Sequence, residues 1–166
     1  LEAWGSWEGD LKGASRICHG DLKVSNIRFS ESGEALCLLD LDTLSFLPLE
    51  VELGDAFRSW CNSSDENATE VSFDADLFEA GVRGYEQFRP LCLEMRQRLV
   101  SGVERICLEL AARFCADALN ESYFGWDAAV APSRGEHNLI RAQGQLALAA
   151  EVRRQRRDLE DRLGLH

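Results

Sequence analysis

The sequence predicts an α+β fold that is predominantly helical, with one small β-hairpin followed by four helices. Three observations predict it. Short strand-forming segments at 26–29 and 35–39 flank a Gly-containing turn, SESGE, the pattern of a hairpin. From residue 49 onward apolar residues recur instead at three- and four-residue steps, the helical period. Helix stop and start signals (Pro90, Asp74, Ser133, Gly164) divide that second part into helices.

Residues 1–15 are rich in Gly, Trp and charge and show no period; Arg16 to Cys18 then leads into the polar run His19-Gly20-Asp21. The two ends of a hairpin point to the same place. Polar groups at 19–26 and 40–43 therefore converge at its open end. Leu49, Leu53, Phe57, Trp60 and Cys61 give a first helix over 49–61. Residues 61–69 are polar and read as a loop. Asp74 is the N-cap of a second helix carrying Leu77, Phe78, Val82, Tyr85 and Phe88, which Pro90 ends. A long third helix carries Leu93, Leu99, Val103, Ile106, Cys107, Leu110 and Phe114. After an aromatic loop at 120–132, Ser133 with Glu136 forms a capping box and opens a last helix over 134–163, with Gly164 at C′. The sequence contains no internal repeat and no low-complexity segment.

At 166 residues the chain reads as one domain, 1–166, with an ordinary balance of 45% hydrophobic and 28% charged residues. Its net charge of −11 repels nucleic acid and anionic membrane surfaces, so neither is expected as a general partner; a local nucleotide or metal-phosphate site remains compatible. No apolar run exceeds about five residues, against the ~20 that span a bilayer. Six cysteines, without CxxC pairs or zinc-type spacing, read as reduced, buried thiols of a cytoplasmic protein. The basic stretch 153–157, interleaved with Glu151, Asp158, Glu160 and Asp161, reads as a solvated helix face. The four tryptophans read as core or interface residues.

The chemistry-bearing signal is His19-Gly20-Asp21-Leu22-Lys23-Val24-Ser25-Asn26, followed 14 residues after Asn26 by Asp40 in LLDLDT. Phosphoryl transfer needs a carboxylate to accept the attacking hydroxyl's proton, and metal ligands to hold Mg²⁺ against nucleotide phosphates. Mg²⁺ prefers hard oxygen donors, which an amide and a carboxylate supply. In that scheme Asp21 is the base, Asn26 and Asp40 are the metal ligands, and Lys23 neutralises charge on the migrating phosphoryl group. Asp and Asn are also common turn residues; the coupling to a hairpin at this spacing separates the two readings. Asp42 is read either as a further metal ligand or as a turn residue.

The run HGDLKVSN resembles the catalytic loop shared by protein kinases and the aminoglycoside-phosphotransferase and choline-kinase enzymes. LLDLDT resembles their metal-binding segment, with Asp42 where protein kinases have Gly. DLDT, ELGDAFRSW and EHNLIRAQ are together similar to the N-acetylhexosamine 1-kinases, over about residues 17–150.

This resemblance implies the C-terminal lobe of the protein-kinase-like fold. It implies ATP as co-substrate, Mg²⁺ as cofactor and a small hydroxyl compound as acceptor: a sugar such as an N-acetylhexosamine, or alternatively an aminoglycoside, choline or other small alcohol. It makes Asp55 of GDAFR the helix carboxylate that braces the catalytic loop, with His19 packing under that loop as scaffold or serving as a proton shuttle. Arg113 and Tyr123 become substrate-binding residues, Arg113 either facing a pocket or reaching solvent. Only 18 residues precede His19, too few for a nucleotide-gripping lobe. The isolated chain is therefore expected to be close to inactive, or a non-catalytic binding or assembly module. It is further expected to self-associate through Trp4, Trp7, Ile17, Ile27 and Leu38.

Overall fold

A computed structural model describes Gly5, residues 13–65 and residues 67–165. The fold begins with two small antiparallel ladders. β1 (Ser15–Cys18) pairs with β4 (Ser45–Pro48), setting Ile17 opposite Phe46, and β2 (Ile27–Phe29) pairs with β3 (Ala35–Leu38), setting Ile27 opposite Leu38. The β2–β3 hairpin closes as its turn chemistry predicts. Ser30 N–H reaches Glu34 O at 2.8 Å, Gly33 N–H reaches Ser30 O at 3.0 Å, and Gly33 takes a φ of +83° that a side chain would resist. The β1–β4 ladder corrects the expectation of a single hairpin. SRIC and SFLP are four-residue segments about 30 positions apart, and neither shows the alternation that would announce a strand.

Four helices follow among the described residues: α1 (Leu49–Trp60), α2 (Ala75–Glu86), α3 (Leu93–Asn120) and α4 (Arg134–Arg162). The caps are those the sequence announces. Asp74 accepts N–H bonds from Asp76 and Leu77. Ser133 Oγ accepts from Glu136 N–H at 3.1 Å and donates to the Glu136 carboxylate at 3.2 Å. At the far end Gly164 N–H bonds Asp161 O and Leu165 N–H bonds Glu160 O, a Schellman closure with Gly164 at φ +71°. One boundary differs. α2 stops at Glu86, and Phe88, counted among its apolar face, is 86% exposed.

The core lies between α1, α2 and the long antiparallel pair α3–α4, around Phe57, Phe78, Leu99, Val103, Leu148 and Val152. Phe57 and Phe78 meet edge to face at 4.9 Å. α1 crosses α3 backbone to backbone: a Cβ on Gly54 would lie 2.8 Å from the carbonyl carbon of Gly102. The stretch 153–157 is not simply a solvated face, because Arg153 and Arg156 both donate to the fully buried carboxylate of Glu104 on α3. All six cysteines are free thiols, yet only Cys18, Cys61 and Cys107 are buried; Cys37, Cys92 and Cys115 are exposed. Of the apolar surface expected near the chain start, Ile17 and Leu38 are exposed, Ile27 is half-buried, and Trp4 and Trp7 lie outside the described residues. No helix among the described residues is long and apolar enough to cross a membrane.

Candidate active site

The loop between β1 and β2 is held from two sides. Gly20 adopts φ +82°, and a Cβ there would sit 2.7 Å from Thr43 O, so the loop presses directly on the segment after β3. Thr43 Oγ1 donates to His19 O at 2.7 Å, and the buried His19 ring donates through Nε2 to Leu39 O at 2.7 Å. His19 thus ties segments 19–26 and 39–43 together, the contact of a scaffold residue. From the other side α1 supplies three anchors. Glu52 accepts the backbone N–H groups of His19 and Gly20, Ser59 Oγ accepts Val24 N–H at 3.1 Å, and Trp60 Nε1 donates to Leu22 O at 2.8 Å.

The bracing carboxylate is therefore Glu52, where the sequence reading placed Asp55. One turn further along α1, Asp55 instead takes Arg58 Nε and Nη2 on its Oδ1 at 3.1 and 2.9 Å, while its Oδ2 is buried without a hydrogen-bond partner. Both carboxylates lie on the face of α1 that lines the cleft, and it is Glu52 that reaches the loop.

Within the loop, Asp21 Oδ2 accepts Lys23 Nζ at 2.7 Å and Asn26 Nδ2 at 3.0 Å; the same Nδ2 donates to Asp21 O at 2.9 Å. Both amide protons of the buried Asn26 are thereby engaged, and its carbonyl oxygen is the atom left to meet a cation. Asp40 enters from the far end of the hairpin in a left-handed conformation, φ 61° and ψ 64°. A shared hydrogen bond with Asp42 and that residue's charge raise the Asp40 carboxyl above its ordinary value; Lys23 opposes the shift and Asp21 adds to it. Asp40 is thus near enough to feel Asp42, Lys23 and Asp21. Two carboxylates crowded in this way suit a hard divalent cation. No group of three His, Cys, Asp or Glu that could hold a metal occurs among the described residues. Two carboxylates and an amide nevertheless match magnesium, which takes one or two protein carboxylates and completes its shell with phosphate and water.

Asp21 and Lys23 open into a cleft of about 460 Å³ whose opposite elements contribute Arg58, Arg113, Tyr123 and Phe124. The Arg113 guanidinium lies over both aromatic rings, 5.6 Å from the Tyr123 centroid and 5.5 Å from that of Phe124. Arg113 lines the pocket and is also exposed to solvent. The two rings meet edge to face at 4.9 Å, and Phe124 packs on Phe114 at 4.4 Å. EHNLIRAQ at the start of α4 shapes this wall from behind. Asn138 donates to Asp117, Arg141 donates to Gly125 O, and His137 accepts Asp127 N–H on Nδ1.

Of the eight sequence-predicted site residues, Asp21, Lys23, Asp55, Arg113 and Tyr123 line this cleft, while His19 and Asn26 hydrogen-bond beneath and within the loop and Asp40 enters from the hairpin end. Sequence reasoning missed Glu52, Thr43, Trp60 and Asp117. The signal for Glu52 and Asp117 was a charged residue on an otherwise buried helix face, a pattern that marks an internal partner without naming it.

The model of the phosphotransferase enzyme family (APH) matches residues 1–91. That match takes in the loop at 19–26, Asp40, Glu52 and the first two helices, and it ends before α3 and α4, which build the Arg113–Tyr123 wall.

Proposed function

The chain belongs to the phosphotransferase enzyme family, and from that premise we propose that it forms the catalytic C-terminal lobe of a small-molecule kinase, one that transfers the γ-phosphoryl group of ATP to a hydroxyl of a sugar such as an N-acetylhexosamine. The observation that carries this reading is that Asp21 and Lys23 share one cleft with Arg113 and Tyr123. Asp21 takes the proton of the acceptor hydroxyl as its oxygen bonds to the γ-phosphorus and the bond to the bridging oxygen of ADP breaks. Lys23, 2.7 Å from Asp21, places positive charge where the phosphoryl oxygens gather negative charge. Asn26 and Asp40, with Asp42 adjacent, would hold Mg²⁺, which supplies charge neutralisation of the nucleotide phosphates. Glu52 and His19 keep the loop in register, so that the base does not have to be positioned at each turnover.

The lining of the cleft favours a neutral polyol over a cationic acceptor. Glu52 is occupied by backbone N–H groups, Asp55 by Arg58, Asp21 by Lys23 and Glu109 by Arg105 at 3.5 Å, while Arg113 adds a positive charge beside two aromatic faces. An acceptor panel with Mg-ATP and the full-length enzyme that carries this lobe tests the reading. Phosphorylated hexose or N-acetylhexosamine is the expected product. Product only from aminoglycosides or choline would reassign the acceptor, and no product from any acceptor would leave a binding module of the same fold.

A further inference from the structure

We propose that Asp117 is a positioning residue for acceptor recognition, holding the backbone of residues 122–124 so that Tyr123 and Phe124 form their wall of the Asp21 cleft. The inference rests on the reading of that cleft as the acceptor site. Asp117 lines no part of the cleft and is 96% buried by its 4% exposure, so it acts through its neighbours rather than on a substrate. Its Oδ1 accepts Ser122 N–H at 2.9 Å and Tyr123 N–H at 2.8 Å, and its Oδ2 accepts Phe124 N–H at 2.8 Å and Asn138 Nδ2 at 2.9 Å. Three successive backbone N–H groups turned onto one anion form a nest of the kind that binds external phosphates. Here the chain's own carboxylate fills it.

The geometry makes that carboxylate decisive for the wall. Glu121 takes φ 50° at the end of α3, turning the next three N–H groups inward. Its own carboxylate accepts Gly135 N–H at 2.8 Å and so joins the end of α3 to the start of α4. A Cβ on Gly135 would stand 2.7 Å from Ala118 O, so the two helix ends already touch. With both ends of the segment fixed, its middle is set by Asp117. Tyr123 is largely exposed, and its ring is placed by its own backbone and by Arg113 stacked above it; a shifted backbone takes the Arg113 platform with it. Burial by itself would push the Asp117 carboxyl up, but the bonds from Phe124, Ser122, Tyr123 and Asn138 outweigh it and hold the group at about 2. The anchor is therefore charged throughout the physiological range, and it is lost only as pH falls toward that value.

The test is Asp117→Asn in the intact protein, read in two ways. With the Ser122 hydroxyl also donating to Oδ1 at 3.4 Å, Asp117 meets five donors, which an amide side chain cannot satisfy, so amide hydrogen exchange at residues 122–124 should quicken at least tenfold while exchange in α1 stays as it was. With Mg-ATP, the KM for N-acetylglucosamine or N-acetylgalactosamine should rise tenfold or more while the KM for Mg-ATP stays within twofold. Unchanged exchange at 122–124 overturns the proposal, and so does a rise of both KM values together, the sign of general loosening. If Asp117→Asn does not fold, Asn138→Ala removes one of the five donors and should give the same two signs at smaller size; no change in either would overturn the proposal equally. A protein that turns over no acceptor sinks the proposed function, and in that case the exchange measurement alone still decides whether Asp117 holds the wall.

Discussion

Glu52 accepts the backbone N–H of His19 through Oε1 at 2.8 Å, and its other oxygen takes Gly20 N–H at 2.9 Å. A helix carboxylate is thereby fastened to the residues immediately before Asp21. Charge-assisted bonds in a buried place are among the stronger ones, and removing one partner strands the others. Glu52→Ala should cost about 2–4 kcal/mol in urea unfolding. Glu52→Gln should lower turnover at least tenfold, because one loop N–H would then face an amide N–H. Asp55→Asn leaves both loop bonds intact and should be the milder change in turnover. Equal damage from Asp55→Asn and Glu52→Gln would return the bracing role to Asp55.

On the proposed mechanism, the pair Asp21 and Asp40 separates proton transfer from nucleotide binding. Asp21→Asn removes the proposed base and should lower kcat by about 10²–10⁴-fold, with little loss of Mg-ATP affinity. Asp40→Ala removes the proposed metal ligand and the carboxylate that crowds Asp42; on that proposal Mg-dependent nucleotide binding should disappear in calorimetry. Near-normal turnover in Asp21→Asn would end the base assignment.

What the sequence made legible was local. The loop at 19–26, the SESGE turn, the Asp74 and Ser133 caps and the Gly164 stop each depend on residues within a few positions of one another, and each forms as read. The site assembles because the hairpin returns Asp40 to the loop, a consequence of chain continuity. What stayed hidden was tertiary. β1 and β4 pair across about 30 residues without an alternating pattern. Glu52 and Asp55 are one turn apart on the same helix face, and only the fold decides which reaches the loop. Arg153 and Arg156 look solvated in a charged run until α4 is laid against Glu104. Asp117 gives no linear hint that its partners are three backbone groups beyond the end of its own helix.

The strand region leaves apolar surface outside. Ile17 and Phe46 are cross-strand partners at 70% and 73% exposure, and every residue of β3 is exposed. Half of the large exposed apolar side chains among the described residues, nine of 18, fall between Ile17 and Phe46. Nine such side chains amount to several hundred Å², the order of the ~800 Å² per partner in a standard interface. We propose a second copy of the chain as the occupant. Light scattering should give a dimer mass, and Phe46→Glu should shift it toward the monomer. A clean monomer at high concentration would defeat the association.

The crossing of α1 on α3 offers a test of the fold that does not depend on activity. A Cβ on Gly54 would meet the Gly102 carbonyl carbon and oxygen at 2.8 Å, and a Cβ on Gly102 would collide with the Glu50 carbonyl oxygen. Both obstacles are backbone, so a methyl group cannot be accommodated by rotating a side chain. Gly54→Ala and Gly102→Ala should each destabilise by about 1–3 kcal/mol, the usual cost of overpacking. The displaced helix carries Glu52, Ser59 and Trp60, so the same variants should loosen the catalytic loop and slow its turnover. Gly84 in α2 is the contrast. Nothing lies within 4 Å of a Cβ built there, and its φ is not positive. Gly84→Ala should therefore stabilise by about 0.4–1 kcal/mol, through the lower entropy of the unfolded chain and the better helix propensity of alanine. Urea unfolding of the three variants beside the parent chain decides the matter: a neutral Gly102→Ala would mean that the two helices are not in backbone contact.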